Sequence, residues 1–171
     1  MMSRSHLPTA FGACLLLSEM AGMTGGARVV FVAAGTLAGV LPDVDHKGTM
    51  ANRALLAGID VIPGHRGWTH SVAGGSVFAA MAAALSWWLL GGGWALVLAA
   101  AVFAGCMVHL AGDTVTHRGV PWLWPGRRRW AWHWFATGGQ ASLRDRVLER
   151  VTAYGFTLAC VGCALMLDNW G

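Results

Sequence analysis

The sequence predicts an all-α, polytopic helical membrane protein with about five transmembrane helices, and three observations carry that prediction. Hydrophobic residues make up 56% of the 171 positions and charged residues only 12%, against about 25% charged in an average soluble domain. From Gly67 to Gly112 there is no Asp, Glu, Lys or Arg, and a run of that length exceeds two bilayer crossings of about 20 residues each. The apolar stretches are also continuous, whereas β-barrel strands would alternate apolar and polar residues. These observations disfavour an ordinary soluble globular fold, and the length suits a single integral membrane domain over 1–171.

Apolar segments run over 7–23, 28–42, 69–90, 94–116 and 151–167. The first follows Arg4 and contains Ala13-Cys14-Leu15-Leu16-Leu17, as a signal peptide would. Glu19 interrupts the region where a small-x-small cleavage site belongs, so the segment is expected to be retained, and His6 with it. The second, bounded by Arg28 and Pro42, barely crosses a core about 30 Å thick at about 1.5 Å per residue. The third and fourth are joined by Gly91-Gly92-Gly93 as a tight turn. The fifth is near the lower limit, with Gly155 and Gly162 as close-packing points. Between the fourth and fifth, the stretch 117–150 carries Pro121, Pro125, Arg127-Arg128-Arg129 and Trp130-Ala131-Trp132-His133-Trp134. Such a basic, aromatic strip reads as lying along an anionic leaflet. His117 and His133 within it read as surface histidines. Cys14, Cys106, Cys160 and Cys163 lie in apolar stretches, where free Cys behaves as a small hydrophobe, and they form no evident zinc set or disulfide framework.

A pI near 9.3 can signal a nucleic-acid partner, but in a membrane protein excess Lys and Arg set topology. With the N-terminus cytoplasmic and all five segments crossing, eleven of the twelve basic residues fall inside and only Arg28 outside. The ten tryptophans then all sit at an interface, six inner and four outer. This topology sends four polar clusters to the cytoplasmic helix ends: His6, then Asp43, Asp45 and His46, then His65, Arg66, Thr69 and His70, then His109 and Asp113.

Each cluster has a chemical reading and a plain one. His109 and Asp113 share a helix face, with Cβ atoms about 5–6 Å apart; the pair suits a divalent cation, or a hydrogen bond tying two helices. Asp43, Asp45 and His46 follow Pro42, which disfavours continued helix at Leu41, so the turn can aim two carboxylates and an imidazole at one point or simply be solvated. On a continuous helix His65 and His70 would point about 140° apart, but Gly64 and Gly67 suggest a loop at His65 with Thr69 capping the next helix. Arg66 is a candidate for binding an anionic substrate group, or a positive-inside anchor. Imidazole and carboxylate ligands without thiolate suit zinc, manganese or iron, and there are enough here for more than one ion.

The elements LPDVDH at 41–46, HRGWTHS at 65–71 and HLAGDTVTHRGVPWLWP at 109–125, with His6 near the start, resemble the YdjM family of predicted membrane-bound metal-dependent hydrolases. The resemblance covers about 1–126; no motif matches beyond 127. It implies a distant similarity to the zinc-dependent phospholipase C group, helical proteins with clustered zinc that cleave phosphoesters. It also implies His6, Asp43, Asp45, His46, His65, His70, His109 and Asp113 as metal ligands, with Arg66, Asp45 and Thr69 contributing to catalysis. The resulting expectation is a cytoplasm-facing inner-membrane hydrolase of a phosphoester or related ester, such as a phospholipid or lipid-linked phosphate. A non-enzymatic metal-binding protein or transporter is the alternative; the latter would place its ionisable groups near the bilayer midplane, which is here almost bare of charge. A nucleic-acid substrate is disfavoured, because the membrane surface explains the Arg and Trp strip.

Overall fold

In the computed structural model, which describes residues 3–56, 66–126, 128–137 and 141–168, the chain is all-helical. The described residues form six α-helices: α1 Ser3–Met20, α2 Gly25–Ala38, α3 Met50–Leu56, α4 Val72–Leu90, α5 Ala95–Thr114 and α6 Leu143–Asp168. Four stretches are long and apolar enough to cross a membrane: Gly25–Asp45, Val72–Leu90, Gly92–Thr114 and Leu143–Asp168. α1 is not among them. Its 18 residues include Arg4, Thr9, Ser18 and Glu19, which lower its hydropathy, yet it runs within the bundle, packed on α2, α5 and α6. The expectation of about five transmembrane helices therefore becomes, among the described residues, four candidate spans and one more polar helix packed among them.

Helix ends depart from the hydropathy pattern where polar residues still favour helix. The last helix begins at Leu143 and not near 151, because Leu143–Arg150, though charged, contains no Gly or Pro to break it. The connection after α5 is correspondingly shorter than 117–150. The second span ends as α-helix at Ala38 and continues past Gly39 as a 3-10 turn, Leu41–Asp45, with Pro42 in its first positions. α3 follows.

Glycine sets the closest contacts. A Cβ on Gly105 would collide with the Gly35 carbonyl, so α2 and α5 meet backbone to backbone; one on Gly12 would meet the Thr157 Cα at 3.0 Å, where α1 crosses α6. One turn beyond the Gly35–Gly105 contact, His109 reaches the Gly39 carbonyl.

The long helices alternate in direction, so each end of the bundle gathers distant parts of the chain. At one end Arg28 pairs with Glu19 and lies 3.7 Å from Asp168, joining the end of α1, the start of α2 and the end of α6. At the other, the start of α1, the end of α2, the start of α4 and the end of α5 come together. The connection after α5 folds over this second end. Its Trp132 and Trp134 amides donate to the Thr114 and Val115 carbonyls, and the Val72 amide at the start of α4 donates to the Trp122 carbonyl. Trp124, Trp130, Trp132 and Trp134 remain exposed on its outer surface, with Arg128 stacked over Trp130.

Candidate metal centre

The centre is built on α5, where helical periodicity puts His109 and Asp113 on one face, Nε2 to Oδ2 3.8 Å. Both are buried within the bundle. From α1, His6 stacks on the His109 ring with centroids 3.8 Å apart and brings its Nε2 to 3.5 Å from Asp113 Oδ1. From the 3-10 turn, Asp43 Oδ1 stands 3.5 Å from His70 Nε2 and 3.7 Å from His109 Nε2. His70 Nε2 and His109 Nε2 face each other at 3.3 Å. Two groups of three result: His6, His109 and Asp113, and Asp43, His70 and His109, each with ligand atoms within 4.8 Å of one another.

These spacings fit a cation. At 3.5–3.8 Å the nitrogen–oxygen pairs are too long for hydrogen bonds, but ligand atoms each about 2.1 Å from a tetrahedral ion stand about 3.4 Å apart. Both ring nitrogens of His6 are buried and make no hydrogen bond among the described residues, the arrangement expected of a nitrogen reserved for a ligand. His109 Nδ1 donates to the Gly39 carbonyl at 2.8 Å, which leaves Nε2 as its lone-pair nitrogen. Since His109 belongs to both groups and one imidazole nitrogen holds one ion at a time, the two groups meet at a shared ligand.

A second tier of residues holds the first in place. Asp45 Oδ2 lies 3.2 Å from His70 Nδ1 and accepts from the Thr69 hydroxyl at 2.6 Å and the Arg66 amide at 2.9 Å. Asp45 and Thr69 thus stand behind His70 and outside both groups of three. Ser71, and not Thr69, caps α4, its hydroxyl accepting from the Gly74 amide. Arg66, expected to face a substrate anion, instead directs its guanidinium to Asp113 Oδ2 at 2.8 Å, Thr116 Oγ1 at 3.1 Å and the Gly119 carbonyl at 3.2 Å. It does so from a left-handed backbone conformation, φ 61°. His46 closes the 3-10 turn in extended conformation and is exposed, outside both groups. His65 lies outside the described residues.

Burial disfavours the charged form of His70, but the Asp43 and Asp45 carboxylates beside its ring outweigh it and raise the imidazole pKa to about 9. Supporting residues that the motifs do not name include Gly39 and Asn52. Asn52 is buried on α3 and donates to the Val44 carbonyl, while the Thr49 hydroxyl donates to the Asp43 carbonyl, and both fix the 3-10 turn. The signal for Asn52 is one amide that, with Arg53, interrupts the otherwise apolar run of 50–56.

A helical membrane bundle with buried His and Asp groups able to hold a metal ion defines the class. Within that class the chain belongs to the YdjM inner membrane protein family, whose model matches residues 1–171. The match includes the region beyond 127, where the motifs give out. No curated protein and no solved structure matches the chain.

Proposed function

We propose that this protein is a membrane-bound, metal-dependent hydrolase acting on a phosphoester or related ester, with a phospholipid or lipid-linked phosphate as the preferred substrate class. The observation that supports it is the convergence of His6, Asp43, His70, His109 and Asp113, from four separate segments, with gaps suited to a divalent cation. Zinc fits this donor set best, with manganese and iron as alternatives. When bound, the cation supplies Lewis acidity, which makes water a better nucleophile near neutral pH and stabilises negative charge on an ester oxygen.

The chain's own residues do the rest. Arg66 fixes Asp113 and balances its charge within the bundle. Asp45 orients His70 so that Nε2 is the nitrogen facing Asp43 and His109. Asp43 and Asp113 are the carboxylates placed to orient a water, and the packed helix ends exclude bulk solvent. In this reading the N-terminus and the centre face the cytoplasm, as the eleven-to-one distribution of basic residues predicts.

Metal analysis of detergent-purified protein beside His109→Ala and Asp113→Ala, coupled to phosphodiester and lipid-hydrolysis assays, tests the proposal. The expected result is bound metal and hydrolysis in the wild type and neither in the variants. A wild type without metal would overturn it. The burial of all five ligands favours one competing reading, a structural ion in a closed site. Bound metal without turnover would establish that reading.

A further inference from the structure

Beside the half of α5 that carries Asp113, a cavity of about 400 Å³ opens between α1, α5, α6 and the connection that follows α5. Its walls include Val108, Val115, Trp122, Trp132 and Phe156. Of the three threonines that line it, Thr9 and Thr114 spend their hydroxyls internally: the Thr9 hydroxyl donates to the Ser5 and His6 carbonyls and the Thr114 hydroxyl to the Leu110 carbonyl. Its roof is fixed, since Trp122 Nε1 donates to Thr114 Oγ1 and the Trp132 amide to the Thr114 carbonyl, both at 2.8 Å. Ala111, Phe156 and Trp132 on its rim are exposed, so the cavity opens sideways, where a bilayer would lie.

We propose that this cavity binds one acyl chain of a membrane lipid. Its volume is that of a small-ligand site, its lining is apolar, and α5 and α6, which form two of its walls, are candidate membrane spans. An acyl chain is the ligand whose chemistry matches such a lining and which reaches a sideways opening without leaving the membrane. The cavity also adjoins the metal centre. Gly112 and Thr114 of its wall flank Asp113, and Thr9 stands three residues from His6 on α1. The assignment deepens the hydrolase reading, on which its meaning as a substrate site rests: the lipid whose chain occupies the cavity is the one whose ester is presented to the centre.

The test uses full-length protein in nanodiscs of phosphatidylethanolamine and phosphatidylglycerol with a trace of phosphatidylethanolamine carrying a mid-chain diazirine. After irradiation, labelled peptides are mapped by mass spectrometry. Labelling is expected to concentrate on 108–115 and 152–156, above that of the apolar groove between α1 and α2 at Val29 and Leu37. Ala111→Trp, at an exposed position, and Thr152→Phe, on the opposite wall, should each lower it about tenfold while labelling at Val29 and Leu37 stays at the wild-type level. Equal labelling at both places, or no response to either substitution, would show annular lipid only and overturn the proposal. Cross-linking of the cavity to a second copy of the chain would overturn it by showing a protein occupant. The expected pattern in protein that hydrolyses no lipid ester would overturn the hydrolase reading and leave the acyl site standing.

Discussion

At the end of the bundle where α1 passes to α2, the charged groups lie at or near the rim: Arg28, 30% exposed, pairs with Glu19, 10% exposed, and approaches Asp168, 59% exposed. At the opposite end His6, Asp43, His70, His109 and Asp113 are drawn inside, none more than 6% exposed. The same helices build both ends, so neither topology nor helix propensity separates them. What differs is compensation. A rim pair keeps water as its alternative partner and contributes little. A carboxylate in the membrane-spanning region costs about 2.5–3.5 kcal/mol on insertion scales, so Asp113 persists only because Arg66, His6 and His109 surround it. Polar residues whose cost is met by several others at once are where function is concentrated.

The largest break in this contrast is Asp113→Ala, which leaves the buried Arg66 guanidinium uncompensated. A loss of about 3–5 kcal/mol is expected in detergent unfolding, together with loss of bound metal. His109→Ala removes the residue common to both groups and should abolish metal binding measured by metal analysis, whereas His46→Ala, at an exposed position, should leave the metal content near that of the wild type. Asp45→Asn spares every member of the two groups but loosens His70, and metal affinity by competition with a chelator should fall about 10–100-fold.

A pH titration sharpens the comparison. With its pKa raised from 6.5 to about 9, protonated His70 stabilises the metal-free fold fully below pH 6.5, and that contribution is lost as pH rises through 9. Zinc uptake has the opposite sign, because a ligand imidazole must first lose its proton. Uptake near pH 7 should therefore release a proton, seen as a binding enthalpy that changes with the buffer's ionisation enthalpy; a buffer-independent enthalpy would remove His70 from the ligand set. The smallest effect belongs to the other end: Asp168→Asn, at an exposed position, should cost no more than about 1 kcal/mol and leave metal content unchanged.

Much of the bundle was legible in the sequence because lipid imposes a simple code. Val72–Leu90 and the helix ending at Thr114 stand out as charge-free runs around Gly91-Gly92-Gly93. α6 was misjudged at its start because Leu143–Arg150 is helical for local reasons that hydropathy does not register. The four clusters were legible as a group, and their convergence follows from alternating helix direction. The division of labour within them was not. In Leu41–Asp45 a 3-10 turn sends successive side chains about 120° apart, so Asp43 and Asp45 diverge to opposite sides of His70. Arg66 turns inward because of a single left-handed residue, which no pattern of residue types reveals.

His6 is made with the first helix and Asp113 at the end of the fifth, about 100 residues and, at about 5–20 residues per second, several seconds later. Throughout that interval the first helix carries a histidine whose partners do not yet exist. No truncated product that stops short of α5 can assemble the ligand set. In the proposed reading, cation capture is thus deferred until insertion is nearly finished, and a chain that retains an ion is one whose biogenesis ran to completion.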